Sequence, residues 1–346
     1  MPVVKADLTL AIEPLKYCLY TPAARPYAGI IVPVGGIFPS EIFSAYEGVE
    51  FLEWAELSER IAKIRPDSYK YERGTVEIRA GSKGATGAAL IAARGAQAAG
   101  AGLVRLVVDD DIYPVLAANA SGIMAAPASM DTSPFESRFR PDCILLGPGW
   151  GTKPDRIPVL EKALELEKAG TPLVLDADAI ELVRGKKFSG RVILTPHPGE
   201  LGRFADIELK DLLSRPLPIL LKLTKKLNAL IILKSHVITI VAPDGRHGVI
   251  DGMAPALAAG GSGDLLAGFC AAIAARMARE RRLFDIYSCA AAAACLLIAA
   301  GKSPELKSRF SDPMELADKA AELAGAAWLS QNDVPSGPEG IFPHGY

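Results

Sequence analysis

The sequence carries almost no net charge and shows no cysteine framework. Its 38 Lys and Arg residues nearly balance 40 Asp and Glu residues, and the formal net charge of −2 gives no general attraction to nucleic acid or to an anionic membrane. There is no CxxC pair and no pairing rhythm, which argues against disulfides and structural zinc. We therefore expect a cytoplasmic protein with no nucleic-acid partner and with buried, apolar cysteines among the alanines. The cysteines are Cys18, Cys143, Cys270, Cys289 and Cys295.

The sequence also lacks an apolar run long enough to cross a bilayer. The nearest candidate, IYSCAAAAACLLIAAG at 286–301, is short and rich in alanine, and the RMARERR segment before it would be costly in lipid. We expect a buried core helix there. The amino-terminal MPVVKADLTLAIEP has no charged region followed by an apolar core, so we expect neither a signal peptide nor a membrane partner.

From about residue 70 onward, strand-like and helix-like segments alternate. Segments such as LVRLVVDDD, PLVLDADA and RVILTPHPGE are continuous apolar runs, which is typical of parallel strands covered on both faces. The sequence therefore predicts an α/β fold with a doubly wound, mostly parallel sheet and helices on both faces. The later segment ALIILKSHVITIVAPDGRHGVI predicts a hairpin with its turn at Pro243, Asp244 and Gly245.

The chain divides into four parts by pattern. Residues 1–45 alternate apolar and polar positions between prolines and glycines, so we expect a short β-rich segment. Residues 46–65 have helical spacing and are expected to form a connecting helix. The strand and helix units fill residues 66–335, and residues 336–346 form a tail.

Glycine and polar residues follow six consecutive strand-like segments. In open α/β sheets, ligands gather at the carboxyl ends of the parallel strands, so these positions predict a ligand site. The site contains neither a GxxxxGK[ST] P-loop nor a GxGxxG dinucleotide fingerprint. Its charged or titratable candidates are Asp176, Asp178, His197, Glu200, Lys234 and Asp264.

The stretch AAGGSGDLLAGF at 258–269 places glycines in front of an apolar helix. Because the first amides of a helix lack internal partners and carry partial positive charge, Gly261–Gly263 entering a helix at Leu265 predict an anion hole suited to phosphate. Asp264 beside it suits a base that takes a proton from a hydroxyl group. The structural alternative is that Ser262 caps the helix and Asp264 interacts with its dipole.

GGSGD followed by LLAGF, and preceded in order by GSKGATGAA, GPGWG and TPHPGE, resembles the ribokinase-like superfamily. Within it, the similarity is to the ATP- or ADP-dependent NAD(P)H-hydrate dehydratases and covers about residues 60–330; TPHPGE argues against a vitamin or sugar kinase. The resemblance implies phosphorylation of the ring hydroxyl of hydrated NADH or NADPH, followed by loss of phosphate. Mg²⁺ is expected as the counter-ion of the nucleotide, with no metal cage in the protein.

The resemblance also implies roles for individual residues, with Asp264 as the base. His197 could instead be only a turn residue. Lys234 could instead be only a lysine at a strand end that extends its charge to solvent. Asp176 and Asp178 would orient magnesium-bound water or nearby loops, or serve as turn residues. The KSHVI stretch stands where the family has K-G-x-x-T. The implied anion-hole and nucleotide-binding residues are Lys234, Ser235, His236, Val237, Ile238, Gly260, Gly261, Ser262 and Gly263; the substrate-binding residues are Ala88, Gly149, Gly151, His197, Pro198, Gly199, Glu200 and Asp264.

The amino-terminal segment has a resemblance of its own, to the tail of the NAD(P)HX epimerase domain that precedes the dehydratase in bifunctional enzymes. This implies a separate epimerase chain or domain as a partner; the alternative is an accessory arm that packs on the dehydratase. Family members are commonly homotetramers, and the alanine-rich segment 286–301 is a candidate interface. Two other functions stay open: a kinase for a small hydroxylated metabolite, and a nucleotide-binding module without turnover.

Overall fold

The computed structural model describes residues 3–39, 41–44, 48–131, 133–136, 140–280, 284–308 and 310–329. Its strands are β1 (Leu8–Ile12), β2 (Ile30–Val34), β3 (Glu50–Phe51), β4 (Thr75–Arg79), β5 (Leu103–Val108), β6 (Met124–Pro127), β7 (Cys143–Leu146), β8 (Leu173–Leu175), β9 (Val192–Leu194), β10 (Leu230–Leu233), β11 (Val237–Val241) and β12 (His247–Asp251). Its α-helices are α1 (Glu41–Ser44), α2 (Trp54–Glu59), α3 (Thr86–Ala98), α4 (Tyr113–Asn119), α5 (Arg156–Lys168), α6 (Asp178–Leu182), α7 (Pro198–Ala205), α8 (Leu209–Ser214), α9 (Pro216–Leu227), α10 (Ser262–Arg279), α11 (Ile286–Gly301) and α12 (Pro313–Trp328).

Ten strands form one sheet in the order β3-β12-β11-β10-β9-β8-β7-β4-β5-β6. Strands β4 to β10 are parallel, whereas β11 runs antiparallel to both β10 and β12, with the hairpin turn where the sequence predicts it. The mostly parallel, doubly wound fold is therefore confirmed. The strand order reverses between β4 and β7, which opens a crevice at the carboxyl ends of the strands.

Two layers of helices cover the sheet because strand residues alternate between its faces. In β7, Cys143 and Leu145 face the layer that contains α3, α10, α11 and α12. Ile144 and Leu146 face the layer of α5 to α9. A continuous apolar run thus supplies both cores at once, which explains why no polar alternation is visible in these strands.

Helix α11 is enclosed by the chain itself. Every residue from Ile286 to Gly301 except Ala299 is buried, including Cys289 and Cys295. This confirms the expected core helix, and its burial within the single chain gives no support to an oligomer interface on it. No helix in the described ranges is both long and apolar enough to span a membrane.

The region between the amino-terminal segment and the main body differs from the expected connecting helix at 46–65. Residues 50–51 form β3, which pairs with β12 at the edge of the main sheet, and in the described part of this range, 48–65, only the six residues of α2 are α-helical. Apolar Phe51 packs on Tyr20, with ring centroids 5.0 Å apart, and Leu52 is buried. This edge pairing places the region within the main body. The tail at 336–346 lies outside the described residues.

Helices α3 and α10 approach closely through glycine. A Cβ on Gly95 would lie 2.7 Å from the carbonyl oxygen of Leu265, and a Cβ on Gly268 would lie 2.2 Å from that of Ala92. Real Cβ atoms do not come this near, so the two backbones meet only because both side chains are absent. This contact fixes the amino-terminal end of α10 against α3.

The close contact predicts a difference between two glycines of the same helix. Gly95→Ala should lower the free energy of unfolding by about 1–3 kcal/mol, because the new methyl group overpacks the contact with α10. Gly87→Ala, whose Cβ would meet no atom of the described residues within 4 Å, should change it by no more than about 1 kcal/mol, in the stabilising direction. Denaturant unfolding of both variants measures the difference; equal stabilities would contradict the close approach.

Candidate active site

Two of the six predicted strand-end residues, His197 and Lys234, line a cavity of about 660 Å³ at the carboxyl edge of the sheet, whereas Asp264 and the other three are not among its lining residues. One wall is the loop after β10, and the other is the start of α10. The loop after β12 and residues of α11 complete it. The lining residues are His197, Lys234, Ser235, His236, Ile238, Gly252, Met253, Ala254, Pro255, Leu257, Ala258, Ala259, Gly261, Ser262, Gly263, Leu266, Leu297 and Ile298.

Lys234 is held at this cavity by a buried carboxylate. Its Nζ donates to Oδ1 of Asp176 at 2.7 Å, and the hydroxyl of Thr195 donates to the same oxygen at 2.6 Å. Burial alone would lower the pKa of Lys234, but the negative charge of Asp176 and the hydrogen bond raise it above its ordinary value. The lysine is therefore a fixed cation.

Asp264 lies in the first turn of α10, among these charges. Burial, the largest cause, and the negative charge of Asp176 together raise its pKa from 3.8 to about 7, although the positive charge of Lys234 opposes the shift. A carboxyl group whose pKa lies near neutral pH can gain and lose a proton under working conditions. Burial and the neighbouring negative charge thus give Asp264 a pKa that suits a general base.

The glycine loop begins α10 three residues earlier than expected. Helix α10 starts at Ser262 rather than Leu265, and Gly261 is its N-cap with φ +97°. Ser262 therefore lies inside the helix, and its proposed capping role is wrong. A Cβ on Gly263 would lie 3.2 Å from Nζ of Lys234, so the lysine reaches the helix N-terminus. The amide of Ser262 donates to the carbonyl of Ala259 at 3.4 Å, but the first amides of a helix otherwise lack internal partners, so the amide of Gly263 beside this cation makes a candidate anion site.

A second group of glycines lines the other side of the crevice, after β7. The hydroxyl of Ser82 donates to the carbonyl of Gly149 at 2.8 Å, and the amide of Gly151 donates to Oδ2 of Asp178 at 2.8 Å. A Cβ on Gly149, which has φ +57°, would lie 3.1 Å from that of Ala88. The predicted substrate residues Ala88, Gly149 and Gly151 are thus brought together, and Asp178 orients their loop.

Ala177 is a strained residue between the two aspartates of DADA. It has φ +45° and ψ −118°, a conformation that residues other than glycine rarely adopt. This sharp turn sends Asp176 to Lys234 and Asp178 to Gly151. Two acidic positions of one short turn thereby serve the two sides of the crevice.

His197 both caps a helix and lines the cavity. Its Nδ1 accepts from the amides of Gly199 and Glu200, and the carboxylate of Glu200 accepts from the amide of His197 at 2.8 Å. With Nδ1 occupied as an acceptor, a neutral ring carries its proton on Nε2. His197 therefore has the structural role that was its alternative, and it also lines the cavity. Pro198 opens helix α7 as its first residue.

The predicted nucleotide stretch covers the loop between β10 and β11 and the first two residues of β11. Lys234, Ser235, His236 and Ile238 line the cavity, whereas Val237 faces away and packs on Tyr20 and Val249. Gly260 lies in the loop before α10, and a Cβ placed on it would meet no atom of the described residues within 4 Å. The assignment of Val237 to the site therefore holds at most for its backbone, because successive strand residues point to opposite faces.

Sequence reasoning missed three parts of the site. It did not identify Asp176 as the partner of Lys234, nor the cavity wall at 252–257. It also missed the contact of His236 Nε2 with the carbonyl oxygen of Pro22 at 2.9 Å. The one glycine and one proline of GMAPAL were the signal for the wall, since they indicate a turn at the end of β12.

A family profile described as NAD(P)H-hydrate dehydratase matches residues 76–322. The bifunctional NAD(P)H-hydrate repair enzyme Nnr of Escherichia coli (strain K12) is 31% identical to this chain over 274 residues, which are 78% of this chain and 52% of that protein. The corresponding enzyme of Coxiella burnetii is 29% identical over 277 residues, which are 79% of this chain and 56% of that protein. The chain spans about half the length of these curated relatives.

A solved structure of an ADP/ATP-dependent NAD(P)H-hydrate dehydratase from Bacillus subtilis, co-crystallized with ATP/Mg²⁺, has a TM-score of 0.69 to this chain at 23% identity. It covers 82% of this chain and 100% of the Bacillus chain. At this identity the similarity supports the ribokinase-like fold. Since the family profile covers most of the sequence, including every strand end of the crevice, the chain belongs to the NAD(P)H-hydrate dehydratase family.

Proposed function

We propose that this chain uses ATP or ADP to dehydrate hydrated NADH or NADPH back to the reduced cofactor. The observation that carries the proposal is Asp264, whose pKa is raised to about 7 beside an anion site made by Lys234 and the start of α10. Asp264 directly follows Gly263, which lines the cavity, so a nucleotide bound in the cavity would lie next to this acid.

In the first step, Asp264 accepts the proton of the ring hydroxyl. The hydroxyl oxygen forms a bond to the terminal phosphorus of the nucleotide while the bond from that phosphorus to the leaving nucleotide breaks. The amides of Gly261 and Gly263 and the ammonium group of Lys234 stabilise the charge on the transferred group. In the second step, phosphate leaves with the C–O bonding pair and a proton leaves the neighbouring ring carbon, which restores the double bond.

The anion site also fits the polyphosphate of a nucleotide. In the Bacillus relative, ATP/Mg²⁺ was part of the crystallisation. Among the described residues no group of three or more His, Cys, Asp or Glu side chains is arranged to hold a metal ion. We propose that Mg²⁺ arrives bound to the nucleotide phosphates, where it neutralises their charge.

The test is turnover of purified chain with hydrated NADH, Mg²⁺ and either ATP or ADP. We expect the absorbance of NADH to return together with one inorganic phosphate per molecule repaired. A small-metabolite kinase would instead leave a stable phosphorylated product without free phosphate. A binding module would bind nucleotide and give neither signal, and either result would overturn the dehydratase proposal.

The amino-terminal strands support a partner proposal. Strands β1 and β2 form a separate two-stranded parallel sheet, and register places Leu8 beside Ile30 and Leu10 beside Val32. All four side chains are exposed, although parallel strands are normally covered on both faces. Because the chain spans about half of its bifunctional relatives, we propose that an NAD(P)HX epimerase chain or domain covers this sheet.

The exposed sheet predicts association of the chain through it. Leu10→Lys should raise solubility and the monomer fraction in sedimentation, because the charge interrupts the apolar face. Val115→Lys is a matched control, since Val115 on α4 is 58% exposed and Leu10 is 64% exposed. Equal effects of the two substitutions would contradict a docking role. A homotetramer and a cytoplasmic location stay predictions, and the sedimentation experiment also measures the first.

A further inference from the structure

An amino-terminal arm, residues 15–28, packs on the strands that build the cavity. Tyr20 is buried against Val237 of β11 and Val249 of β12. The other face of the same two strands, through Ile238 and Ile250, packs into the helical core. The arm therefore supplies the second layer over this hairpin, although it lies well before the residues that the family profile matches.

The arm contacts the open end of the β11–β12 hairpin, where β11 starts and β12 ends, and this end lies next to the cavity. Register pairs Val237, the first residue of β11, with Asp251, the last residue of β12. Nε and Nη2 of Arg25 donate to the two carboxylate oxygens of Asp251 at 3.0 and 2.9 Å. On the facing strand, His236 Nε2 contacts the carbonyl oxygen of Pro22 at 2.9 Å. Both sides of the open end are thus tied to one short segment.

The residues next to these contacts line the cavity. Gly252 follows Asp251, and a Cβ placed on it would lie 3.0 Å from the carbonyl oxygen of His236. The side chains of Arg25 and Asp251 are 10% and 19% exposed, so their bidentate pair is shielded from water and geometrically specific. A shift of this pair would move both His236 and the loop that starts at Gly252.

We infer that the arm is a positioning element of the nucleotide site, in which Arg25 and Pro22 set the geometry of His236 and Gly252. The inference rests on the proposed function in so far as a nucleotide occupies this cavity. It also assigns a role to residues of the amino-terminal segment that is separate from docking of an epimerase. The exposed sheet would serve a partner, whereas the arm serves the chain's own cavity.

The test compares Arg25→Ala with Arg25→Lys and Arg246→Ala, using calorimetric binding of ADP and of ATP with Mg²⁺. We expect Arg25→Ala to weaken nucleotide affinity about tenfold, the equivalent of about 1.4 kcal/mol, and Arg25→Lys to restore part of it. Arg246→Ala is the control, because Arg246 forms exposed ion pairs with Asp244 and Asp285 at the opposite end of the same hairpin. It should leave affinity unchanged.

Two further readouts separate positioning from a general loss of stability. In Arg25→Ala the nucleotide KM should rise about tenfold, while kcat at saturating nucleotide and the KM for hydrated NADH change less than about twofold. Amide exchange should accelerate at 235–238 and 251–254. Should Arg25→Ala not fold, Asp251→Asn, which keeps the side-chain shape, gives the same comparison.

Wild-type nucleotide affinity in folded Arg25→Ala would overturn the inference, as would an equal loss in Arg246→Ala. Failure of the proposed function has a different signature: wild-type protein that binds nucleotide but repairs no hydrated cofactor. In that case the affinity series still decides the role of the arm, because binding needs no turnover. Wild-type protein that binds neither nucleotide would overturn both proposals.

Discussion

Asp264→Asn is expected to lower kcat by about 10²–10⁴-fold, the usual contribution of a positioned general base. Asparagine keeps the size of the side chain and cannot accept the hydroxyl proton. Nucleotide affinity should stay within a few-fold of wild type, because the helix amides and Lys234 are unchanged. Steady-state turnover and calorimetric binding measure the two quantities separately.

The pH dependence of the wild-type enzyme provides a second readout of the same residue. Since the base must be ionised, kcat/KM should rise with pH through about 7, where the pKa of Asp264 lies. Asp244→Asn, at the exposed turn of the β11–β12 hairpin, is the matched control and should leave the profile unchanged. Full activity in Asp264→Asn would remove Asp264 from this role. So would a residual kcat/KM of the variant that still rises with pH near 7 as in the wild type.

Asp264→Asn should also stabilise the fold in a pH-dependent way. The raised pKa means that the folded state holds this proton more tightly than the unfolded state, so ionising Asp264 destabilises the protein as pH rises from about 4 to about 7. The variant avoids that cost. Its gain in free energy of unfolding should be largest above pH 7 and vanish as pH falls towards 4.

The second large effect is expected from separating the buried pair of Lys234 and Asp176. Lys234→Met leaves the carboxylate of Asp176 buried with only the hydroxyl of Thr195 and should lower the free energy of unfolding by about 3–5 kcal/mol. Activity should fall as well, because the anion site loses its fixed cation. Denaturant unfolding and turnover under saturating nucleotide measure these losses.

The two members of the pair should shift the pH profile in opposite directions. Lys234 lowers the pKa of Asp264 and Asp176 raises it. The acid limb of kcat/KM should therefore move to higher pH in Lys234→Met and to lower pH in Asp176→Asn. A purely structural pair would lower activity in both variants without opposite shifts. The double variant should recover stability relative to Lys234→Met, because no uncompensated buried charge remains.

The sequence predicted the parallel sheet and the convergence of Lys234, His197 and Asp264 because one rule covers both. Apolar runs indicate parallel strands, and parallel strands bring their carboxyl ends to one edge. The glycines before α10 likewise predicted an anion site, although the helix begins three residues earlier than expected. These features depend on local pattern and on a general property of the fold.

The remaining contacts depend on pairings between distant residues, which no local pattern encodes. Arg25 and Asp251 are 226 positions apart, and Lys234 and Asp176 are 58 apart. The connecting helix was predicted wrongly because helical spacing at 50–59 competes with pairing of Glu50 and Phe51 to the open edge of β12. For Val237 only the backbone stays a prediction, since the two-residue period of a strand already turns its side chain away from that of Ile238.

The glycine contact between α3 and α10 sets a molecular distance that matters beyond packing. Gly95 lies against the backbone of Leu265, the neighbour of the proposed base, and the same helix α3 carries Ala88, which lies against Gly149. The two missing methyl groups therefore help to set the spacing between Asp264 and Ala88. Substitutions at Gly95 or Gly268 would change this spacing from within the core, without altering either of the two side chains.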